Sequence, residues 1–203
     1  MTQIIFLKKL SPENQGFILN KMKVIIIHGI ADNEKDKDYN QYWLPWIKEK
    51  LEEKRIECIN FLMPEPWNPK YKDWKKEFEK VLIDEGIILI GHSAGCAFLV
   101  RWFGETKKKI RKLILVAPWK ISSEEFSEGE NEMYDYEIEN CVRENVGETI
   151  IFTSNDEDED GKESVNIFHN ALGGKIIELK NYGHFDSEMV TEKFPELLEK
   201  VLE

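Results

Sequence analysis

Ile87-Ile88-Leu89-Ile90-Gly91-His92-Ser93-Ala94-Gly95 decides how the rest of the chain is read. Four consecutive aliphatic residues describe a strand buried on both faces, because a half-exposed strand would alternate apolar with polar. Ala97, Phe98, Arg101 and Trp102 then fall at helical spacing. Between strand and helix stands Gly-x-Ser-x-Gly. A serine presented for attack needs a sharp, strained strand-to-helix turn, and small residues on either side let the neighbouring backbones approach. The helix start aims backbone N–H groups at the same point, where a developing oxyanion can be held. An ordinary glycine–serine turn is the bland alternative, but it does not require both flanking elements. Ser93 is therefore the expected nucleophile. Cys96 reads as a small buried residue of the following helix, since nothing in the sequence marks a partner that would hold a thiolate.

A serine hydroxyl attacks only when a base takes its proton. The chain offers four histidines, His28, His92, His169 and His184. His184 lies in Asn181-Tyr182-Gly183-His184-Phe185, just after the last expected strand and on the side of the sheet where Ser93 emerges. It is the expected base. His92 is expected to pack under the turn, and His169 to sit on a helix flank. His28, in Ile27-His28-Gly29-Ile30, follows the first strand, where a second oxyanion donor belongs. The backbone N–H groups of Ile30 and Ala94 are the expected oxyanion hole, with Ala31 one residue from the first.

The acid that orients the histidine should follow the strand between Ser93 and His184. That strand, Ile150 to Thr153, runs into Ser154-Asn155-Asp156-Glu157-Asp158-Glu159-Asp160-Gly161. Asp156 is the first carboxylate beyond the strand, and extended-chain alternation turns position 157 the other way. Asp156 is the chosen acid, with Glu157 and Asp158 as alternatives. The alternating aspartates followed by glycine also resemble the first half of a calcium loop. Position twelve, however, is Ile167, where a bidentate glutamate is required.

Working outward, further apolar runs stand at Val24 to Ile27, Ile56 to Leu62, Leu113 to Val116, Ile150 to Phe152 and Ile176 to Leu179. Helical patterns separate them: Trp43, Trp46, Ile47 and Leu51; Trp74, Phe78, Val81 and Leu82; Val165, Phe168 and Leu172; and Phe194, Leu197, Leu198 and Val201, with Pro195 near the start. Strand and helix in alternation imply an α/β chain with a mainly parallel sheet of roughly six strands, helices on both faces, and a site at the carboxyl ends of the strands. Residues 1–21 read as an N-terminal extension, with an added edge strand expected at Ile4 to Leu7, and residues 22–203 as one domain. The acidic, aromatic stretch Ser122 to Glu139 stands where a lid could be inserted.

The 203 residues, 41% hydrophobic and 11% aromatic, suit one globular domain. A formal net charge of -11 argues against a nucleic-acid partner. Three cysteines cannot all pair, and no secretory leader or membrane-length apolar run is read, so a cytoplasmic setting without membrane attachment is expected.

Several segments together resemble a known group. Ile27-His28-Gly29, Tyr42-Trp43-x-x-Trp46, Met63-Pro64-Glu65-Pro66, the Ser93 pentapeptide, Met133-Tyr134-Asp135-Tyr136 and Gly183-His184-Phe185 are similar to those of the small α/β-hydrolases related to retinoblastoma-binding protein nine. The resemblance covers most of the chain from Lys23 onward. It implies the α/β-hydrolase fold with little or no lid, and a Ser-Asp-His triad at Ser93, Asp156 and His184. The family aspartate meets Glu157 instead if no gap is allowed. It further implies carboxylesterase-like or peptidase-like cleavage of a small-molecule or peptide-like acyl substrate, with no metal or organic cofactor. The alternatives are a catalytically weak binding protein on the same fold, or a calcium-binding interaction protein using residues 156–161.

Overall fold

A computed structural model describes residues 22–186 and 192–203. The edge strand expected at Ile4 to Leu7 lies outside the described residues. The six apolar runs are six strands: β1 Lys23–Ile27, β2 Glu57–Phe61, β3 Ile87–His92, β4 Ile110–Val116, β5 Val146–Ser154 and β6 Lys175–Leu179. All neighbours pair parallel, in the order β2-β1-β3-β4-β5-β6. The chain first moves outward from β1 to β2, then returns to the other side of β1. The strand order therefore reverses between β1 and β3, and such a reversal opens a crevice at the carboxyl ends of those two strands.

Alternate side chains of each strand serve two cores. Ile25, Ile27, Leu89, Leu113, Leu115 and Ile151 face helices α2 (Tyr71–Phe78), α3 (Ala94–Thr106) and α6 (Glu159–Leu172), through Trp74, Phe98 and Phe168. Val24, Ile26, Ile88, Ile90, Ile114 and Phe152 face α1 (Trp43–Glu53) and α7 (Pro195–Leu202), through Trp43, Ile47, Leu197 and Val201. These strands carry apolar residues at consecutive positions because each face meets helices. Beside the exposed Arg111, Lys112 is the buried charged residue of β4. Its side chain, 2% exposed, pairs with Glu148 of β5 at 2.9 Å and donates to the Lys200 carbonyl at the end of α7. A cation there complements the negative end of the helix.

Three expectations need correction. The apolar runs of the two edge strands are not buried on both faces as the others are: Leu62, just beyond β2, is 59% exposed and Ile176 of β6 37%, because an edge strand has a neighbour on one side only. Helix α2 stops at Phe78, so Leu82 lies beyond it and is 77% exposed. Ser122 to Glu139 forms no lid among the described residues. It carries α4 (Glu128–Tyr134), which packs against α2 and α3 and buries Met133 and Tyr134. Its start is fixed by a capping box in which Ser127 and Glu130 each accept the other's backbone N–H. A short helix α5 (Cys141–Asn145) leads directly into β5.

Candidate active site

Ser93 stands between β3 and α3 at φ 50° and ψ -121°, a conformation costing about 1–3 kcal/mol for a residue with a side chain. The surroundings enforce it. The Ser93 N–H donates to the Val116 carbonyl of β4, and its own carbonyl accepts the Cys96 N–H, both at 3.0 Å. A Cβ at Gly91 would stand 2.7 Å from the Cys96 nitrogen, and one at Gly95 would stand 2.6 Å from the His28 carbonyl oxygen. Both glycines of the motif are thus required by close backbone approach.

His184 reaches Ser93 from the loop after β6, with Nε2 2.9 Å from Ser93 Oγ. Its Nδ1 lies 3.0 Å from Glu157 Oε2. With Nδ1–H donating to the carboxylate, Nε2 is left as the acceptor of the serine hydroxyl. Burial pulls the His184 pKa down, but the hydrogen bond and charge of Glu157, helped by Asp186 and Asp158, outweigh it. The net shift is upward from the ordinary 6.5.

The acid that meets His184 is Glu157, not Asp156. The chain does not stay extended after β5. It turns, with the Glu157 N–H donating to the Ser154 carbonyl, so alternation no longer decides which side chain points inward. Glu157 is 4% exposed, and its second oxygen accepts the Asp158 N–H at 3.1 Å. Asp156 faces the loop backbone instead. It accepts the Ser154 hydroxyl and the Gly183 N–H, which hold its carboxyl below the usual range. Asp158 caps α6 by accepting the Gly161 N–H at 2.6 Å. Each of the three candidate acids has a separate task. Among the described residues no group of three or more His, Cys, Asp or Glu side chains is disposed to hold a metal ion.

A glutamate needs more room than an aspartate, and Gly161 provides it. A Cβ at position 161 would come 2.6 Å from Glu157 Cγ and 2.7 Å from Cδ. The histidine loop is also tied down along its length. Asn155 Oδ1 accepts the Asn181 N–H, Ser154 Oγ accepts the Tyr182 N–H, and Asp156 accepts that of Gly183. The His184 carbonyl accepts His92 Nε2–H, and the Phe185 carbonyl accepts the Trp43 indole N–H. A ring held this way has little orientational freedom left to lose.

The other histidines are placed as structural residues. Burial lowers the His28 pKa to about 4, so the ring is neutral; Nε2 accepts the Met63 N–H while Nδ1–H donates to the Gly29 carbonyl. It thereby ties the loop after β1 to the loop after β2. His92 is lowered to about 4 by burial and by the charge of His184, and its ring meets Trp43 edge-on. His169 lies at the end of α6, near the Gly174 carbonyl. Cys96 is fully buried, and burial pushes its thiol up, away from any thiolate role.

Ser93 and His184 open into a cleft of about 330 Å³, which Ile30 also lines. Ala94 follows Ser93 as the first residue of α3. Ala31 is excluded as the second oxyanion donor because its N–H already donates to the Pro66 carbonyl at 3.1 Å. Sequence reasoning missed most of the cleft wall: Trp119, whose ring meets His184 edge-on at 5.7 Å, together with Phe126, Tyr39 and the aspartates of the β1–α1 loop. Trp119 alone carried a usable signal, standing just beyond β4 in Ala117-Pro118-Trp119.

A six-stranded parallel sheet with a strained serine at its strand-order reversal and a histidine from the last strand's loop defines the α/β-hydrolase fold. Residues 24–203 match the serine hydrolase family, and the chain belongs to it. The fold is similar to that of the ydeN gene product of B. subtilis, at a TM-score of 0.77 and 20% identity, over 89% of this chain and 97% of that one. It is also similar to a monoacylglycerol lipase of Paleococcus ferrophilus (TM-score 0.64, 13% identity, 89% and 93% covered). Est1E of Butyrivibrio proteoclasticus gives a TM-score of 0.60 at 13% identity, with 88% and 84% covered. No curated protein matches the chain. Among the described residues no helix is long and apolar enough to cross a membrane.

Proposed function

We propose that this serine hydrolase cleaves an ester, thioester or amide of a small or peptide-like substrate through an acyl-enzyme, in the manner of a carboxylesterase. The observation that carries the reading is the unbroken relay of Ser93 Oγ, His184 and Glu157, at 2.9 and 3.0 Å. Ser93 Oγ attacks the carbonyl carbon as its proton passes to His184 Nε2, and the Glu157 carboxylate stabilises the resulting imidazolium. The Ile30 and Ala94 N–H groups hold the oxyanion, a contribution worth on the order of 10² to 10³ in rate per donor. The imidazolium then gives its proton to the leaving group. Water, deprotonated by the same nitrogen, releases the acid and restores Ser93.

Placement beside the retinoblastoma-binding protein nine group is part of the proposal and rests on the sequence segments they share. A cytoplasmic setting and the absence of a nucleic-acid partner rest on the cysteine content and the net charge of -11. The test is labelling by a fluorophosphonate, which traps a serine activated in this way. Wild-type protein should be labelled and Ser93→Ala should not; labelling of the variant at a comparable rate would remove Ser93 from the mechanism.

A further inference from the structure

The cleft above Ser93 is one-sided in charge. Asp32, Asp36, Asp38 and Asp186 line it, and among the described residues no lysine or arginine does. Asp36 accepts the backbone N–H groups of Asp32 and Asp38, which folds the β1–α1 loop so that three carboxylates share one side of the opening. No ion pair within the described residues neutralises any of the four. Lys35 and Lys37 belong to the same loop but are exposed and lie outside the cleft lining.

A second feature concerns the floor. His92 lines the same cleft and is 5% exposed, and its Nε2–H is engaged by the His184 carbonyl. That leaves Nδ1 as a bare acceptor, and it is buried without a partner. The point where Gly29 lacks a Cβ lies 3.4 Å from Nδ1 and 3.6 Å from Ser93 Oγ, so the bare acceptor and the nucleophile both stand beside the Gly29 backbone. Buried acceptors without donors are uncommon, and a ligand N–H is one way to satisfy them. Tyr39, Trp119 and Phe126 add aromatic rings to the lining, and a ring face attracts a cation rather than an anion.

We propose that the cleft selects acyl substrates bearing an N–H-carrying cation, a primary ammonium or guanidinium group, over neutral and anionic ones. The inference rests on the reading of Ser93 as nucleophile. Carboxylates around a partly enclosed cleft concentrate their field there and raise the capture rate of an oppositely charged ligand by tenfold or more at low salt. The effect weakens as the Debye length shrinks from about 30 Å at 0.01 M to about 8 Å at 0.15 M.

The test compares three alkyl methylphosphonofluoridates whose chains end in –NH₃⁺, –CH₃ or –CO₂⁻. In each, Ser93 Oγ attacks phosphorus, the P–F bond breaks with loss of fluoride, and the hydroxyl proton passes to His184. Labelling rates are read by intact mass at 10 mM and 500 mM salt. At low salt the ammonium probe should react about tenfold faster than the methyl probe, and the carboxylate probe slowest, with the spread closing at high salt. Asp32→Asn with Asp38→Asn should reduce the ammonium-to-methyl ratio at least threefold. Glu57→Gln with Glu85→Gln, the same charge change near the amino ends of β2 and β3, should reduce it far less. Equal or reversed rates overturn the inference while leaving the nucleophile in place. So does an equal response to the near and far pairs, which would trace the preference to overall charge. Failure of all three probes to label overturns both readings.

Discussion

Replacing Glu157 by glutamine keeps the size of the side chain and removes its charge, so it isolates what the carboxylate does for His184. The carboxylate fixes the proton on Nδ1 by accepting it at 3.0 Å, leaving Nε2 to accept from Ser93 at 2.9 Å. A glutamine amide can turn its NH₂ toward Nδ1. The imidazole then carries its proton on Nε2, facing the serine, where it cannot act as a base. Loss of the right tautomer costs up to about 10⁴-fold in turnover in a triad of this geometry. At about 1.36 kcal/mol per tenfold, that corresponds to roughly 5 kcal/mol of transition-state stabilisation. Asp156→Asn should cost less than about tenfold, because an asparagine oxygen can still accept the Gly183 N–H. The assay is kcat/KM on an activated ester, with circular dichroism confirming the fold. Glu157→Gln retaining more than a tenth of wild-type activity, or Asp156→Asn proving as damaging, would refute the reasoning.

Two further outcomes follow from the same geometry. Activity should rise with pH through an apparent pKa above 6.5, because the base must be neutral and its pKa is raised in the folded protein. The linked contribution to stability has the opposite trend: it is fully present below the unfolded histidine pKa and lost as pH rises through the folded one. Thermal melting across this window in wild type and His184→Ala checks the sign, and an activity limb below pH 6 would contradict it. Gly161→Ala should lower kcat by at least tenfold while leaving a folded protein, since the new Cβ must displace the Glu157 side chain from 2.6 Å. Full activity in that variant would show that the carboxylate has room to spare.

Much of the architecture was legible because backbone position follows from local pattern. Runs such as Val24 to Ile27 and Ile87 to Ile90 have few uses other than buried strands, and each lies in the sheet where its neighbours predict. Ser93 and His184 were legible for a related reason, since a strand-to-helix turn and a strand-end loop fix the direction in which they point. The acid was not. Its identity depends on a turn after Ser154, and five consecutive carboxylates gave the pattern nothing to choose by. The exposure of β2 and β6 was not legible because a strand's neighbours, and therefore its edge position, are not written in its own residues. The cleft wall was the least legible part. Asp32, Trp119, Phe126 and Asp186 come from three separate loops, and only the assembled fold brings them together.

The packing of Glu157 over Gly161 links the evolution of two positions four residues apart. While the acid at 157 is a glutamate, any side chain at 161 competes for its space, so glycine is held there irrespective of its helix propensity. A shortening to aspartate at 157 would free that space but withdraw the carboxylate from Nδ1 by a methylene unless the α6 start moved inward. The order of substitution therefore matters along a lineage. Gain of a side chain at 161 must follow the exchange at 157, and homologues should pair glutamate with glycine at these positions while those with aspartate vary freely at the second.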